Sequence, residues 1–118
     1  MKICEIFRGV QGEGINTGKP NVFVRLSGCN KRCVWKNGSC DTKFASFQAV
    51  DFEEKTPEEL FKEIEKFKCK NVIFTGGEPC LQKDELIQLC KMLRENGYYI
   101  SIETNGSIYD HDLVAIID

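Results

Sequence analysis

The sequence has little of what marks membrane proteins and nucleic-acid-binding proteins. Among its 118 residues, 16 basic side chains nearly balance 18 acidic ones, and the charges are scattered. Such a distribution gives no electrostatic footprint for nucleic acid or for an anionic membrane surface. No apolar run approaches the roughly 20 residues that span a bilayer. We therefore expect no nucleic-acid partner and no membrane association.

The start of the chain also lacks a secretion signal, because no basic segment precedes a long apolar stretch there. The seven cysteines are an odd number, so without secretion a disulfide framework is the weaker explanation for them. Metal binding or reduced structural thiols explain them better, and we expect a cytoplasmic protein. The length predicts one domain, residues 1–118.

Apolar periodicity predicts strands and helices in alternation. The predicted helices are residues 57–67 and 83–96, and the predicted strands are residues 2–7, 22–26, 71–75, 98–103 and 113–117. The acidic stretch 51–55 is interpreted as an ordinary connection. Alternation of this kind implies βαβ units and an α/β fold with a parallel sheet. Glycine-containing segments follow several of the strands, so we expect them to gather at the carboxyl edge of the sheet, the usual active face.

Three cysteines lie within twelve residues, at Cys29, Cys33 and Cys40. Soft thiolates select zinc, copper(I) or iron–sulfur clusters. Three thiolates on one loop would leave one iron of a cluster open to a ligand. A structural zinc site wants four ligands, and the only histidine, His111, is distant in the sequence. A fourth zinc ligand would come from one of the other cysteines, Cys4, Cys69, Cys80 or Cys90. Spacing alone leaves the iron–sulfur site, the zinc site and unligated thiols as alternatives.

Several motifs occur in order along nearly the whole chain. They are Glu-Ile-Phe at residues 5–7, Val-Gln-Gly-Glu-Gly at 10–14, Phe-Val-Arg-Leu-Ser-Gly-Cys-Asn at 23–30, Cys-Asp-Thr at 40–42, Phe-Thr-Gly-Gly-Glu-Pro at 74–79 and Glu-Thr-Asn-Gly at 103–106. In this combination the sequence resembles the 7-carboxy-7-deazaguanine synthases of the radical S-adenosylmethionine (SAM) superfamily.

The resemblance implies a partial (β/α) barrel of the radical SAM type whose core domain is incomplete at the C-terminus. It implies a lyase that converts 6-carboxy-5,6,7,8-tetrahydropterin to 7-carboxy-7-deazaguanine with loss of ammonia, in 7-deazapurine (queuosine-type) biosynthesis. The implied cofactors are a [4Fe–4S] cluster, SAM and Mg²⁺. The implied partners are the pterin substrate, a flavodoxin-like electron donor and a second copy of the chain in a homodimer.

The same resemblance implies roles for individual residues. The expected pterin-binding residues are Val10, Gln11, Gly12, Arg25 and Thr75. The expected SAM-binding residues are Gly77, Glu78, Glu103 and Asn105. The expected metal ligands are Cys29, Cys33 and Cys40 for the cluster and Thr42 for Mg²⁺. No residue is assigned a catalytic role of its own.

The sequence departs from the family pattern in two places. Residues 36–39 are inserted before Cys40, and their turn-like composition predicts a segment that loops out. The pattern is also covered only over its N-terminal half to two-thirds, so we expect a truncated chain. Two alternatives remain: another radical SAM enzyme, such as the activating enzyme of an anaerobic ribonucleotide reductase, or an inactive or zinc-binding module.

Overall fold

The computed structural model describes residues 1–46 and 51–118. Four α-helices, one short 3-10 helix (Pro79–Gln82) and seven strands occur in this part of the chain. The helices are α1 (Lys43–Ser46), α2 (Pro57–Lys66), α3 (Lys83–Glu95) and α4 (His111–Ile116). The strands are β1 (Lys2–Val10), β2 (Pro20–Leu26), β3 (Val34–Trp35), β4 (Gly38–Ser39), β5 (Glu53–Glu54), β6 (Asn71–Gly76) and β7 (Tyr99–Ile102). The two long helices and the first four predicted strands are confirmed to within a few residues at their ends.

Five of the strands form one sheet in the order β5-β1-β2-β6-β7. The pairs β2–β6 and β6–β7 are parallel, as predicted, and helix α2 or α3 makes each crossover. The predicted α/β class is confirmed. Strand β1 departs from the parallel arrangement, because it pairs antiparallel with β2. No crossover helix fits in residues 11–19, and a parallel connection needs a dozen or more residues.

Helices α2 and α3 cover one face of the sheet and enclose the core. Side chains alternate between the two faces of a strand, so alternate residues of the central strands point toward these helices. The fully buried residues of this layer are Val22, Val24, Leu26, Val72, Phe74 and Ile100 from the sheet and Leu60, Ile64, Leu86, Leu89, Cys90 and Leu93 from the helices. The opposite face carries Arg25 and Thr75, which are partners in the β2–β6 register. We call it the open face.

The predicted strand at residues 113–117 is wrong, because helix α4 occupies this segment. The Asp110 side chain caps the helix by accepting hydrogen bonds from Asp112 N and Leu113 N. Leu113 is buried, and Ile116 and Ile117 pack against the same core. The spacing of these apolar residues is helical, and an aspartate before the segment is an N-cap signal. The β-branched composition of the segment concealed both signals.

The acidic stretch 51–55 is more than the ordinary connection that was predicted. Glu53 and Glu54 form β5, which pairs antiparallel with Lys2 and Ile3 at the start of β1. Glutamate is uncommon in strands, so composition gave no signal, but a short charged strand suits a sheet edge. Within the described ranges, no helix has the length and apolar character needed to cross a bilayer.

Candidate functional site

The loops that follow β2, β6 and β7 meet at the carboxyl edge of the sheet, as the sequence predicts. Glu78 N, after β6, donates to Gly28 O, after β2, at 2.7 Å. Asn105, after β7, donates from Nδ2 to Asn30 Oδ1 at 3.1 Å. Three separate parts of the sequence thus form one surface.

Two glycines allow the loops after β2 and β6 to approach so closely. A Cβ atom on Gly76 would lie 2.2 Å from Leu26 O, and one on Gly77 would lie 2.0 Å from Gly28 O. Gly76 also has a φ of +128°, which L side chains rarely adopt. The backbone contact between the two loops therefore requires glycine at both positions.

The cysteine loop contains a small β-hairpin. Strands β3 and β4 pair antiparallel, and Cys40 N donates to Cys33 O at 3.1 Å, so these two cysteines flank the hairpin. Residues 36–39 form its turn and second strand. The prediction that this insert loops out is confirmed, and it leaves Cys33 and Cys40 adjacent in backbone position.

The cysteines of this loop are free thiols with intermediate exposure. Hydrogen bonds with the Ser46 and Thr42 hydroxyls, at 3.4 and 3.6 Å from Sγ, lower the pKa of the Cys40 thiol and favour its thiolate. Among residues 1–46 and 51–118, no three His, Cys, Asp or Glu side chains are grouped closely enough to hold a metal ion. The donor chemistry of three thiols on one loop nevertheless fits an iron–sulfur cluster. Thr42, the expected Mg²⁺ ligand, lies beside Cys40.

Asn105 reaches the cysteine loop from the end of β7. Its Nδ2 lies 3.8 Å from Cys29 Sγ, and its Oδ1 accepts from Ser107 N at 3.0 Å. The structure therefore places this expected SAM-binding residue next to one of the expected cluster ligands. Sequence reasoning did not identify Asn30, whose amide bonds both Asn105 and Ser107.

Glu78 also lies among these loops, but it is completely buried. Its Oε1 accepts from Cys80 N at 2.9 Å and from Thr104 Oγ1 at 2.8 Å, and its Oε2 accepts from Asn105 N at 2.7 Å. Groups of the chain itself therefore satisfy the carboxylate. No local pattern in the sequence predicts the part played by Thr104.

A second group of site residues lies on the open face. Thr75 Oγ1 donates to Glu103 Oε2 at 2.7 Å, and Gln11 Nε2 donates to Glu103 Oε1 at 3.3 Å. Thr75 and Gln11 are buried, with exposed fractions of 5% and 7%. Glu103 was expected with the SAM-binding residues, and the structure groups it with two expected pterin-binding residues.

The loop of residues 11–19 covers part of the open face. Gln11 anchors it, because Gln11 N donates to Lys19 O and Gly18 N donates to Gln11 O, at 3.0 and 2.8 Å. Gln11 Oε1 also accepts from Gly12 N at 2.9 Å. A cavity of about 250 Å³ lies between this loop and the sheet. Its lining includes Gln11, Glu13, Ile73, Ser101 and Glu103. Val10 and Gly12 are exposed at the start of the loop.

Arg25 stands beside Thr75 on the open face. Its Nε donates to Glu5 Oε1 at 2.7 Å, and its guanidinium lies 5.7 Å from the centre of the Phe44 ring. Glu5 faces Arg25 across the β1–β2 pair, so an antiparallel prediction for these strands would have identified this ion pair.

A larger cavity of about 760 Å³ is lined by residues such as Met1, Gln82 and Glu85 and includes none of the predicted site residues.

The fold and the cysteine loop define a class of protein. The family model of the radical SAM superfamily matches residues 23–118, and the chain belongs to that superfamily. Within it, the chain is similar to proteins named 7-carboxy-7-deazaguanine synthase, which confirms the resemblance found in the sequence. It is 42% identical to the one from Methanospirillum hungatei over 99% of this chain and 39% identical to the one from Haemophilus influenzae over 90%.

A solved structure supports the same relationship. The crystal structure of QueE from Escherichia coli matches with a TM-score of 0.77 and 32% identity over 92% of this chain. The match covers 54% of that structure, and the two synthases are covered over 47% and 46% of their lengths. The chain therefore spans about half the length of the relatives it matches.

Proposed function

We propose that this chain forms the cofactor and substrate core of a radical SAM lyase that converts 6-carboxy-5,6,7,8-tetrahydropterin to 7-carboxy-7-deazaguanine and ammonia, within 7-deazapurine biosynthesis. The observation that carries the proposal is the group formed by Thr75, Glu103 and Gln11 beside Arg25 on the open face. In the proposed complex, Glu103 would offer an anionic group and Arg25 a cationic group to the same ligand.

The substrate has chemistry that complements this group. A guanidinium binds a carboxylate through charge-assisted hydrogen bonds, so Arg25 would take the 6-carboxyl group of the pterin. The Glu103 carboxylate would accept N–H bonds from the aminopyrimidinone ring, with Thr75 and Gln11 fixing its orientation. Val10 and Gly12 would line the mouth of the site at the start of the covering loop.

The cysteine loop would hold the cofactors at the adjacent edge. Cys29, Cys33 and Cys40 would bind three irons of a [4Fe–4S] cluster, and the backbone of Gly77 and the amide of Asn105 would contact SAM. When bound, the cluster and SAM would supply radical chemistry, for which the residues of this chain would position the cofactors and the substrate. Thr42 would provide an oxygen ligand to Mg²⁺, which prefers such hard donors.

The resemblance to the synthases also supports proposals about partners. A flavodoxin-like protein would donate the electron, and two copies of the chain would form a homodimer. The free thiols of the cysteine loop are consistent with a cytoplasmic location, where thiols stay reduced.

Anaerobic reconstitution followed by assay tests the proposal. The protein should bind about four irons. With a reductant, SAM and carboxytetrahydropterin, it should form 7-carboxy-7-deazaguanine, detected by mass spectrometry. A colourless protein that holds one zinc would contradict the radical chemistry. SAM cleavage without that product would indicate a different radical SAM enzyme, such as a reductase-activating enzyme.

A further inference from the structure

A serine at the end of helix α1 places its hydroxyl against a sulfur of the cysteine loop. Ser46 Oγ lies 3.4 Å from Cys40 Sγ, and the Thr42 hydroxyl approaches the same sulfur at 3.6 Å. Cys40 is one of the three expected cluster ligands, and Thr42 has a proposed role as an Mg²⁺ ligand. Ser46 has no role in the proposed function, so its contact with the sulfur is unexplained.

The surroundings of Ser46 fix its position. Ser46 is buried, and the neighbouring Ala45 is completely buried. Gly28 N donates to Ala45 O at 2.7 Å, so a backbone hydrogen bond ties α1 to the residue that precedes Cys29. The main chain that carries the Ser46 hydroxyl is therefore anchored next to the cysteine loop.

The hydrogen of the Ser46 hydroxyl has two acceptors within reach. It donates to Thr42 O at 3.0 Å, which is a bond that serine often makes to the carbonyl four residues before it in a helix. Thr42 O also accepts from Ala45 N and Ser46 N, both at 3.0 Å, so it keeps two donors when the hydroxyl turns away. A cysteine sulfur that ligates a metal has lost its proton and can only accept a hydrogen bond. Iron at Cys40 would therefore favour the orientation in which Ser46 Oγ donates to Cys40 Sγ.

We propose that Ser46 is a positioning residue for the electron-transfer step, because its hydroxyl donates to Cys40 Sγ in the cluster-bound protein and makes the cluster easier to reduce. Reduction adds one electron, supplied by the external reductant, to a cluster whose protein ligands are anionic. A hydrogen bond to a ligand sulfur offsets part of the added negative charge, and such bonds help to set the potentials of iron–sulfur clusters. The proposal rests on the proposed function, since it needs the cluster.

The midpoint potential of the reconstituted cluster tests the proposal. It is measured by anaerobic redox titration, followed by the electron paramagnetic resonance signal of the reduced cluster at equal iron content. Ser46→Ala should lower the equilibrium constant for one-electron reduction about threefold to tenfold, which makes the potential more negative by about 30–60 mV. Ser46→Thr keeps a hydroxyl and should recover most of this shift. A purely structural role of Ser46 in α1 would leave the potential unchanged.

Ser39→Ala is the matched control. Ser39 directly precedes Cys40 in β4, and its hydroxyl makes no hydrogen bond within residues 1–46 and 51–118, so the potential should stay at the wild-type value.

The possible outcomes separate this proposal from the proposed function. A wild-type potential in Ser46→Ala would overturn the role of Ser46 and leave the proposed function standing. Equal shifts in Ser46→Ala and Ser46→Thr would attribute the effect to packing and would also overturn it. Loss of the cluster in Ser46→Ala would mean that the hydroxyl retains the cluster and does not tune it, which contradicts the proposal as stated. A wild-type protein that forms no cluster contradicts the proposed function, and this proposal with it.

Discussion

Thr75 and Glu103 are joined across the parallel strands β6 and β7 by a 2.7 Å hydrogen bond, in which the Thr75 hydroxyl donates to Glu103 Oε2. Gln11 reaches the other oxygen of the same carboxylate from the covering loop, although it is far away in sequence. One carboxylate therefore connects the sheet to the loop that covers it, and the first prediction concerns its removal.

Glu103→Gln should weaken binding of the pterin without loss of iron. The substitution keeps the size of the side chain but removes its charge, so charge-assisted bonds to ring N–H groups are lost. We expect the dissociation constant of 6-carboxypterin to rise by about tenfold or more, measured by isothermal titration calorimetry on the reconstituted protein. Glu95→Gln, at the exposed end of α3, is the control. Equal affinity in both variants would contradict the assignment.

Arg25→Ala should also weaken binding of 6-carboxypterin, because the guanidinium is the expected partner of the ligand carboxylate. The loss should be about tenfold to a hundredfold. Arg25→Lys keeps the charge but not the guanidinium geometry, so it should recover only part of the affinity. Pterin without the carboxyl group is the control ligand, and its affinity should fall much less. An equal fall for both ligands would rule out pairing with the carboxylate.

Gly77→Ala should destabilise the metal-free protein. The added Cβ would lie 2.0 Å from Gly28 O, a backbone atom that cannot move without separating the loops. Overpacking of this kind costs about 1–3 kcal/mol. Gly12→Ala is the control, because nothing lies within 4 Å of the Cβ position there. The stability of both variants is measured as the free energy of unfolding in urea. Equal stability of the two would show that the loops separate at no cost.

The parts of the structure that were predictable from sequence are those with strong local signals. Helix α2 begins at Pro57 with the capping box of Thr56 and Glu59, and apolar residues at helical spacing define the buried faces of α2 and α3. The prediction that the loops after the strands meet at one edge of the sheet needed only the alternation of strands and helices. The looped-out insert was predictable because its composition is that of a turn.

The remaining features depend on contacts between distant residues. The bonds from Glu103 to Thr75 and Gln11 arise because residues 11–19 cross the open face, which no local pattern encodes. The antiparallel pairing of β1 follows from the short connection, and it places Glu5 against Arg25. The hydrogen bonds that Thr104 and Asn105 donate to the Glu78 carboxylate are likewise visible only in three dimensions.

The pH dependence of stability should reveal the ion pair between Lys83 and Asp110. The two side chains lie 2.7 Å apart, and this hydrogen bond, with those from Leu113 N and Asp112 N, lowers the pKa of the Asp110 carboxyl. Two other ionisable side chains follow Asp110 at the start of α4. They are His111 and Asp112, and His111 Nδ1 lies 3.7 Å from Asp112 Oδ1. A carboxyl with a lowered pKa stabilises the folded state only while it is ionised.

The stabilising effect of Asp110 should therefore be fully present above its unfolded pKa, about 4, and should be lost as the pH falls through the lower folded value. Asp110→Asn should be less stable than the wild type at pH 7, and the difference should shrink below about pH 4. The difference in the free energy of unfolding is measured by urea unfolding of the metal-free proteins at pH values from 7 to below about 4. Asp112→Asn removes an exposed carboxylate of the same helix and should cause a much smaller change. A difference between wild type and Asp110→Asn that persists unchanged in acid would show that the charge of Asp110 does not contribute to stability.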